Sequence, residues 1–408
     1  MATSLPRKYE VPPTAGLPPR WRDLLPFGAA SEQRGDLAQC AADFLGTASV
    51  QVECSGTASL VVALTTLHRL SGRRAVVVPA YTCPLVALAV AHCGLDLRVC
   101  DLAPGSIDFD AAQLAALCDR DTLAVMPTHL GGRVADVDAT IAIARRVGAF
   151  VIEDAAQALG ARRHGRAVGL DGDVGFFSLA VGKGLTTYEG GLLVAHDAAL
   201  RDELARTSRE IVPRHSGREL QRVLQLLGYH ALYRPSLLRF AYGAPLRRAL
   251  RRGDPVAAVG DDFSPAIALH KLGRWRQSVG ARAFARLPAF LDEGAAQAQS
   301  RKVRLAWIPG VTVIDDAGGA QGTWPYLLLR MPDEAARDAV LQRLWSAGLG
   351  VSRLFIHALP DYDYLKGIVG EHDVPNARAF AATTLTISNS PWLGNEDFEA
   401  ICRVLETT

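Results

Sequence analysis

From residue 36 onward, short apolar runs alternate along the chain with longer segments whose apolar residues recur at helical spacing. The runs predict strands at Val50–Glu53, Ala75–Val78, Leu97–Cys100, Leu123–Met126, Phe150–Ile152 and Gly191–Ala195. The longer segments predict helices at Asp36–Phe44, Ala58–Leu70, Leu85–His92, Asp110–Cys118 and Asp136–Val147. This alternation predicts an α/β fold, in which a mainly parallel sheet is covered by helices on both faces.

The last third of the chain has a mixed pattern. A helical pattern covers residues 264–304, and further elements are predicted as strands at Val311–Ile314 and Tyr326–Arg330 and as helices at Asp333–Ala347 and Glu396–Leu405. This mixture predicts a smaller α+β domain. We therefore expect a large domain over residues 1–265, beginning with an irregular arm over residues 1–30, and a small C-terminal domain over residues 266–408.

Residues 206–252 form a basic insert within the large domain. They hold eleven arginines, no lysine and two glutamates, a balance of +9, whereas the formal net charge of the whole chain is +2. Apolar and aromatic side chains recur in the insert at helical spacing: Leu220, Leu224, Leu227, Tyr233, Leu237, Phe240 and Tyr242. We expect this face to pack on the protein's own core or on a dimer partner, with the arginines solvated or bound to a pyrophosphate. Peripheral contact with an anionic membrane stays open as the alternative.

Composition narrows the classes of function. A net charge of +2 over 408 residues does not indicate nucleic-acid binding. The seven cysteines are scattered and form no CxxC pair, which argues against a disulfide framework or a metal site and favours the reducing cytoplasm. The N-terminus lacks the apolar core of a signal peptide, and Pro79 and Pro84 interrupt the most apolar stretch, so no membrane span is expected.

Several polar segments follow predicted strands, where ligands of an open parallel sheet bind. Ser55-Gly56-Thr57 opens a helix directly after a strand, which fits either a phosphate site or an ordinary helix cap. Glu153-Asp154 ends another strand, where a carboxylate could bind a protonated ring nitrogen, hold a metal or cap the next helix. Thr186–Gly191 has the sequence of a glycine turn that leads into the next strand.

Lys183 is the most distinctive candidate for chemistry. It follows an apolar stretch, is flanked by glycines, and is the only lysine between the N-terminal arm and Lys271. An apolar setting lowers the pKa of a lysine amine and so permits attack on an aldehyde. One alternative is a surface lysine in a glycine loop. An ATPase loop is disfavoured, because six residues separate Gly175 from Gly182, and Gly184 stands where Ser or Thr should bind magnesium.

These segments occur in an order typical of one family. The matching residues are Ser55–Ser59, Pro79–Thr82, Thr128–Gly131, Glu153–Ala161, Gly172-Asp173, Ser178, Lys183 and Gly190-Gly191. With them the chain resembles the DegT/DnrJ/StrS-type sugar aminotransferases, clearly over about residues 45–200. The resemblance implies the pyridoxal-phosphate-dependent transferase fold of type I and pyridoxal 5'-phosphate as the cofactor.

The resemblance also implies roles for individual residues. Lys183 would form the Schiff base to the cofactor and then move the proton, and Asp154 would pair with the pyridine nitrogen. This agrees with the chemistry, because a buried carboxylate that keeps the pyridine protonated makes the ring an electron sink. The implied cofactor-binding residues also include Ser55, Gly56, Thr57 and Ser178 around the phosphate, Gln157 at the phenolic oxygen, and Cys83.

The chain departs from the family's pattern at several places. Where the family usually stacks an aromatic residue on the cofactor ring, this chain has Cys83, so either Cys83 covers the ring, Tyr81 moves in, or stacking is weaker. The basic insert replaces a segment that a partner subunit usually supplies to the phosphate and the sugar. Arg353 and His357 partly match substrate-facing residues, with a surface arginine and a packing histidine as the alternative. We interpret His129 as structural.

The resemblance implies a cytoplasmic homodimer that transfers an amino group from an amino acid, expected to be glutamate, to a keto sugar nucleotide for polysaccharide or glycoconjugate biosynthesis. A sugar dehydratase of the same family is one alternative, but such members carry His in place of Lys183. A non-catalytic cofactor-binding regulatory or assembly protein of the same fold is another, favoured by Cys83 and the altered partner segment.

Overall fold

The computed structural model describes residues 9–25 and 36–408. Within these residues the strands are β1 (Gln51–Glu53), β2 (Ala75–Pro79), β3 (Asp96–Cys100), β4 (Thr122–Val125), β5 (Phe150–Asp154), β6 (Arg162–Arg163), β7 (Arg166–Ala167), β8 (Val174–Ser178), β9 (Gly191–Ala195), β10 (Thr312–Val313), β11 (Ala320–Gln321), β12 (Tyr326–Arg330), β13 (Val351–Ser352) and β14 (Thr384–Ser388).

The helices are α1 (Leu37–Leu45), α2 (Gly56–Ser71), α3 (Pro84–His92), α4 (Ala111–Leu117), α5 (Val137–Val147), α6 (Ala198–Ile211), α7 (Ser216–Leu232), α8 (Pro235–Leu238), α9 (Ala244–Arg251), α10 (Pro255–Val259), α11 (Arg274–Phe284), α12 (Leu287–Leu305), α13 (Glu334–Leu344), α14 (Lys366–Val369), α15 (Pro375–Thr383) and α16 (Asn395–Leu405). A π-helical turn, Arg239–Gly243, joins α8 to α9.

The main sheet has seven strands in the order β1-β9-β8-β5-β4-β2-β3. The pairs from β8 to β3 are parallel, whereas β9 runs antiparallel to both β8 and β1. Side chains alternate between its faces, since Val76 and Val78 pack with α2 and α3 while Val77 packs with α4 and α5. The predicted α/β fold with a mainly parallel, doubly covered sheet is therefore confirmed.

The second sheet is antiparallel, with the order β10-β12-β14-β13. Its core includes Leu327, Leu329, Leu385 and Ile387 and is covered by α12, α13 and α16. The predicted division near residue 265 stays a prediction. Phe284 packs in the core of the main sheet, beside α1. A small third sheet, β11-β6-β7, connects the two parts.

The helical pattern predicted over residues 264–304 begins later than expected. Residues 264–273 are not helical, and α11 starts only at Arg274 after Gly273 as its N-cap. Pro265 disfavours a helical conformation in the residue before it. The N–H of Lys271 donates instead to the carbonyl of Pro213, which anchors this extended segment to the basic insert.

The basic insert folds into α7, α8 and α9, preceded by the end of α6. Tyr233 is buried, but Leu220, Leu224, Leu227 and Phe240 are exposed, so this part of the apolar face does not pack on the chain's own core. Packing of the exposed part on a dimer partner stays a prediction. No helix within residues 9–25 and 36–408, the insert included, is long and apolar enough to span a bilayer.

Candidate functional site

Register in the main sheet brings the predicted site residues to one edge. Asp154, the last residue of β5, pairs with Phe176 of β8, so Ser178 lies just beyond it on the neighbouring strand. Ser178 in turn pairs with Gly191 of β9, and Gly191 pairs with Glu53 of β1. Because β1 leads into α2, the start of that helix arrives at the same edge.

The N-terminus of α2 forms one end of the site. The Ser55 hydroxyl caps the helix by accepting the N–H of Ala58 at 3.0 Å, so the helix-cap interpretation of this side chain is correct. The N–H groups of Gly56 and Thr57 precede the first intrahelical bond and have no protein acceptor among the described residues. A Cβ on Gly56 would lie 3.0 Å from the Ser178 Cβ, so the two residues are in contact. This is a site suited to a phosphate.

Lys183 lies in the loop that joins β8 to β9. The loop closes on itself through the N–H of Leu179 to the carbonyl of Gly190 at 2.7 Å and the N–H of Lys183 to the carbonyl of Ala180 at 3.2 Å. Gly182 has a φ of 82°, which a glycine adopts without strain. Burial lowers the pKa of the Lys183 amine, whereas the charges of Cys83 and Asp154 raise it and only partly offset the effect.

The two acids at the end of β5 have different environments. Glu153 accepts the N–H groups of Gly169, Asp171 and Gly172 at 2.6 to 2.8 Å. Burial raises the pKa of Glu153, but these bonds and His129 together hold it below its usual value. Glu153 thus fixes a loop under the sheet edge.

Asp154 instead lines a cavity and accepts the N–H of Ala156 at 3.0 Å. Burial raises the pKa of Asp154, opposed by that hydrogen bond and by the charges of Lys183 and His129. Because its buried surroundings screen charge poorly, an ionised carboxylate at this position interacts strongly with any cation placed against it.

His129 is held on both ring nitrogens. Its Nδ1 accepts the N–H of Ala135 at 3.1 Å, so Nε2 carries a hydrogen, which it donates to Glu153 at 3.0 Å. The side chain is 1% exposed. These contacts support its interpretation as a structural residue.

Gln157 is oriented by two donors on its Oε1, the N–H of Gly131 at 2.7 Å and the hydroxyl of Tyr326 at 3.1 Å. The amide Nε2 of Gln157 is thereby left as the donor for the cavity, which the residue lines.

Cys83 also lines the cavity, and burial raises the pKa of its thiol to about 12. The side chain of Tyr81 is held by contacts with Phe355. Its hydroxyl donates to the carbonyl of Phe355 at 3.0 Å and accepts the N–H of the same residue. Its ring packs against Phe355 and Phe380 in the core. Of the alternatives for covering a cofactor ring, the geometry favours Cys83 over Tyr81.

Arg353 lines the cavity, but its guanidinium donates to the carbonyls of Ile356 and Ala381 at 2.8 and 2.6 Å. His357 is not among the described residues that line the cavity, and its ring packs edge-on against Tyr362. The sequence interpretation missed several residues that the chain brings from far away, including Thr14 of the N-terminal arm, Tyr326 of β12 and Asp261.

Asp261 is the one carboxylate among the three residues just named. The Tyr362 hydroxyl donates to its Oδ2 at 2.7 Å, and the Ile356 N–H donates to the same oxygen at 2.9 Å. No donor among the described residues contacts Oδ1. Burial raises the pKa of Asp261 to about 6, although these hydrogen bonds and Arg353 oppose the shift.

This raised pKa predicts a pH-dependent stability. Between pH 4 and 6 the folded protein retains on Asp261 a proton that the unfolded chain, with a carboxyl pKa of 3.8, has released. The free energy of unfolding should therefore fall as pH rises through this window. Since one pKa unit corresponds to about 1.4 kcal/mol, this decrease is about 3 kcal/mol, and it should be absent in Asp261→Asn. Thermal unfolding of both proteins at pH 4, 5, 6 and 7 measures this, and parallel profiles would contradict it.

Gly191 carries a second prediction. A Cβ at this position would collide with the carbonyl oxygen of Ser55, the N-cap residue of α2. Gly191→Ala should destabilise the protein by roughly 1–3 kcal/mol and weaken binding of an anion at α2. Gly228→Ala on α7 is the matched control, since its Cβ would meet nothing within 4 Å. Denaturant unfolding should separate the two variants, and equal stability would show that the turn tolerates displacement.

The cavity enclosed by these residues measures about 500 Å³, a volume typical of cofactor sites. Its contents match the groups of pyridoxal phosphate: an amine of lowered pKa for the aldehyde, a buried carboxylate for the ring nitrogen, and helix N–H groups with Ser178 for the phosphate. No group of three metal-ligating side chains occurs in the part of the chain that the structure describes.

Solved structures share this fold. The aminotransferase TlmJ from Streptoalloteichus hindustanus superposes with a TM-score of 0.69 at 22% identity, covering 92% of this chain and 91% of that one. The apo form of the putative sugar aminotransferase Spr1654 from Streptococcus pneumoniae gives a TM-score of 0.73 at 18% identity, covering 98% and 97%. The architecture is thus that of the pyridoxal-phosphate-dependent transferases of fold type I.

Sequence comparison names the family. Residues 31–230, about half of the chain, match the DegT/DnrJ/EryC1/StrS aminotransferase family. The resemblance seen in the sequence is confirmed.

Individual relatives match to different extents. GDP-perosamine synthase of Caulobacter vibrioides is 38% identical over 168 residues, 41% of this chain and 44% of that protein. The spore coat polysaccharide biosynthesis protein SpsC of Bacillus subtilis is 27% identical over 375 residues, covering 88% of this chain and 85% of SpsC. The chain thus spans less than half the length of the Caulobacter protein but most of SpsC.

Proposed function

We propose that this protein is a pyridoxal-phosphate-dependent aminotransferase, which transfers an amino group from an amino acid, taken here as glutamate, to the keto group of a sugar nucleotide. The observation that carries the proposal is that Lys183 and Asp154 face the same cavity as the start of α2. Two relatives are named as a GDP-perosamine synthase and a spore coat polysaccharide biosynthesis protein, and these names support a role in polysaccharide or glycoconjugate biosynthesis.

When bound, pyridoxal phosphate supplies a ring that withdraws electrons from the carbon bearing the amino group. Lys183 would hold the cofactor covalently, and its amine of lowered pKa, once released, would take the proton from the reacting carbon and return it. Asp154 would keep the ring nitrogen protonated, and Gln157 would donate from Nε2 to the phenolic oxygen. Gly56, Thr57 and Ser178 would hold the phosphate, while Ser55 fixes the helix start through its cap. Cys83 would contact the ring.

Substrate contacts are proposed from the remaining cavity wall. The Oδ1 of Asp261 can accept a hydrogen bond from a hydroxyl or ammonium group, and Tyr362 and Ile356 hold the carboxylate in place for it. Arg353 contributes a positive charge at the wall, although its two backbone acceptors limit its reach. His357, which packs on Tyr362, would act through that residue rather than by direct contact.

We further propose a homodimer in the cytoplasm, in keeping with the family. No disulfide joins two cysteines within residues 9–25 and 36–408, which supports a reducing compartment. Analytical ultracentrifugation should give twice the mass of 43.7 kDa.

The proposed function is tested in two half-reactions. Purified protein is mixed with L-glutamate, and the absorbance change and 2-oxoglutarate are measured before a panel of keto sugar nucleotides is added. We expect one equivalent of 2-oxoglutarate per site and, with the correct acceptor, an amino sugar. A deoxygenated sugar would favour a dehydratase. Cofactor binding without either product would favour a non-catalytic role, as the name of a 37% identical relative, the pleiotropic regulatory protein of Geobacillus stearothermophilus, suggests for that protein.

A further inference from the structure

Helix α7 has an inner face that is firmly attached to the protein. Glu219 pairs with Arg276 at 2.6 and 2.8 Å, and Arg222 pairs with Glu189 of the Lys183 loop. Leu226, about one turn after Arg222, is buried. Further along, Tyr229 packs against Tyr188 and Tyr233. These contacts fix the rotation of the helix about its axis.

The outer face of α7 is apolar and exposed. Leu220, Leu224 and Leu227 follow one another at the i, i+4, i+7 spacing of a single helical stripe, and the first two are 58% and 60% exposed. Leu232 extends the stripe at the end of the helix. Between residues 219 and 233 the only charged side chain is Arg222, which faces inward. A solvated helix face would carry charge in this position.

Two further exposed aromatic residues come from the π-helical turn after α8 and from the N-terminal arm. Phe240 is 62% exposed and Arg239 lies over its ring at 4.6 Å. Trp21 is also 62% exposed and lines a cleft with His230 and Arg234, which connects it to the end of α7. We call these six residues the apolar patch: Trp21, Leu220, Leu224, Leu227, Leu232 and Phe240.

Arginines flank the apolar patch at both ends. Eight of the eleven arginines in the basic insert form no ion pair within residues 9–25 and 36–408: Arg209, Arg214, Arg218, Arg234, Arg239, Arg248, Arg251 and Arg252. All except Arg239 are exposed. An apolar surface surrounded by unpaired cations fits a partner that is both apolar and negatively charged.

A second copy of this chain fits that description poorly. In a two-fold symmetric interface the same surface meets itself, so the arginines flanking the apolar patch would face arginines. An anionic bilayer supplies both components, phosphate groups for the arginines and acyl chains for the leucines and aromatic rings. We propose that the apolar patch and its arginines bind the surface of an anionic lipid membrane, with α7 lying in the headgroup region.

This attachment would lie close to the candidate active site. Phe240 belongs to the apolar patch, whereas Tyr242, two residues later in the same π-helical turn, lines the cavity. Asp261, which follows α10, lines it too. The basic insert thus reaches from the proposed membrane surface to the cavity wall, and binding would hold the cavity near the bilayer.

The test is sedimentation of the full-length protein with vesicles, which does not depend on enzyme activity. Vesicles of phosphatidylcholine with about 30% phosphatidylglycerol should bind the protein at low salt, and binding should fall steeply at high salt. Vesicles of phosphatidylcholine alone should bind far less. Leu220→Ser/Leu224→Ser/Leu227→Ser should reduce the partition coefficient by about tenfold or more, as should Arg214→Gln/Arg218→Gln/Arg234→Gln.

Matched controls lie on other surfaces. Val303→Ser/Trp307→Ser removes exposed apolar groups of and after α12, and Arg120→Gln/Arg146→Gln/Arg403→Gln removes exposed arginines outside the insert. Both should bind vesicles like the wild type. Circular dichroism and ultracentrifugation of each variant establish that fold and mass are unchanged.

Three results would overturn the proposal. Wild-type protein that stays in the supernatant with anionic vesicles at low salt has no such surface. Leucine variants that bind as well as the wild type would show charge attraction without the apolar patch. Leucine variants that become monomeric while the wild type ignores vesicles would assign the patch to a second copy of the chain.

Discussion

Replacing Lys183 with alanine should abolish amino transfer without unfolding the protein. The side chain lies in a cavity, where burial lowers the pKa of its amine, and its loop is closed by backbone hydrogen bonds that alanine preserves. Loss of the covalent attachment and of the proton carrier should reduce kcat by at least about 10²–10⁴-fold, the range of a single general acid-base group. Steady-state amino transfer and the melting temperature are measured together.

The matched control is another lysine. Lys366 is exposed and pairs only with Asp363 on the surface, so Lys366→Ala should retain full activity. If Lys183→Ala also retained near-normal turnover, another residue would have to hold the cofactor. If it lost both activity and fold, Lys183→Arg, which preserves the length and charge, would show whether the fold or the chemistry was affected.

Replacing Asp154 with asparagine should lower turnover by about 10²-fold or more, because it removes a charge from a site where water cannot substitute for it. The amide has nearly the same size and can still accept the N–H of Ala156, so the fold should persist. Cofactor affinity should fall only modestly, since the phosphate contacts at α2 remain. Single-turnover rates and cofactor titration distinguish the two effects.

Glu153 provides the contrast for this prediction. Its carboxylate accepts three backbone N–H groups and contacts His129, and Glu153 itself is not among the described residues that line the cavity. Glu153→Gln should therefore reduce stability more than the chemical step. If Asp154→Asn reacted at the wild-type rate while Glu153→Gln did not, the two carboxylates would have been assigned in the wrong order.

The elements that could be predicted are those with both a clear period and clear ends. Helix α5, for example, begins after the cap Asp136 and ends at Gly148, whose φ is 67°. Strand β8 was not predicted because it contains Gly175, a weak strand former. The structure explains this glycine, since a Cβ there would collide with the backbone of Gly169. Strand β14 was not predicted either, because its two threonines and its serine give it the composition of a polar segment. In the structure all five of its residues are buried, and the strand lies inside the second sheet.

The residues of the candidate site likewise fall into two groups, those that the sequence indicates and those that it does not. Lys183 and Asp154 stand within short segments whose residue types already indicate their chemistry, so both were found in the sequence. The sequence around Asp261 and Thr14 does not indicate a role in the site. Only folding brings them to the cavity, Asp261 from the segment after the insert and Thr14 from the N-terminal arm. The direction of the α7 leucines likewise could not be predicted, since it depends on which side of the helix finds partners.

The most direct test of the central claim is chemical. Purified protein loaded with pyridoxal phosphate is treated with borohydride, digested and analysed by mass spectrometry. We predict that the visible absorbance disappears and that the reduced cofactor is found on the peptide containing Lys183, and not on those containing Lys271, Lys302 or Lys366. Modification of another lysine, or of none while the bound cofactor dialyses away, would contradict the assignment of Lys183 and the aminotransferase function built on it.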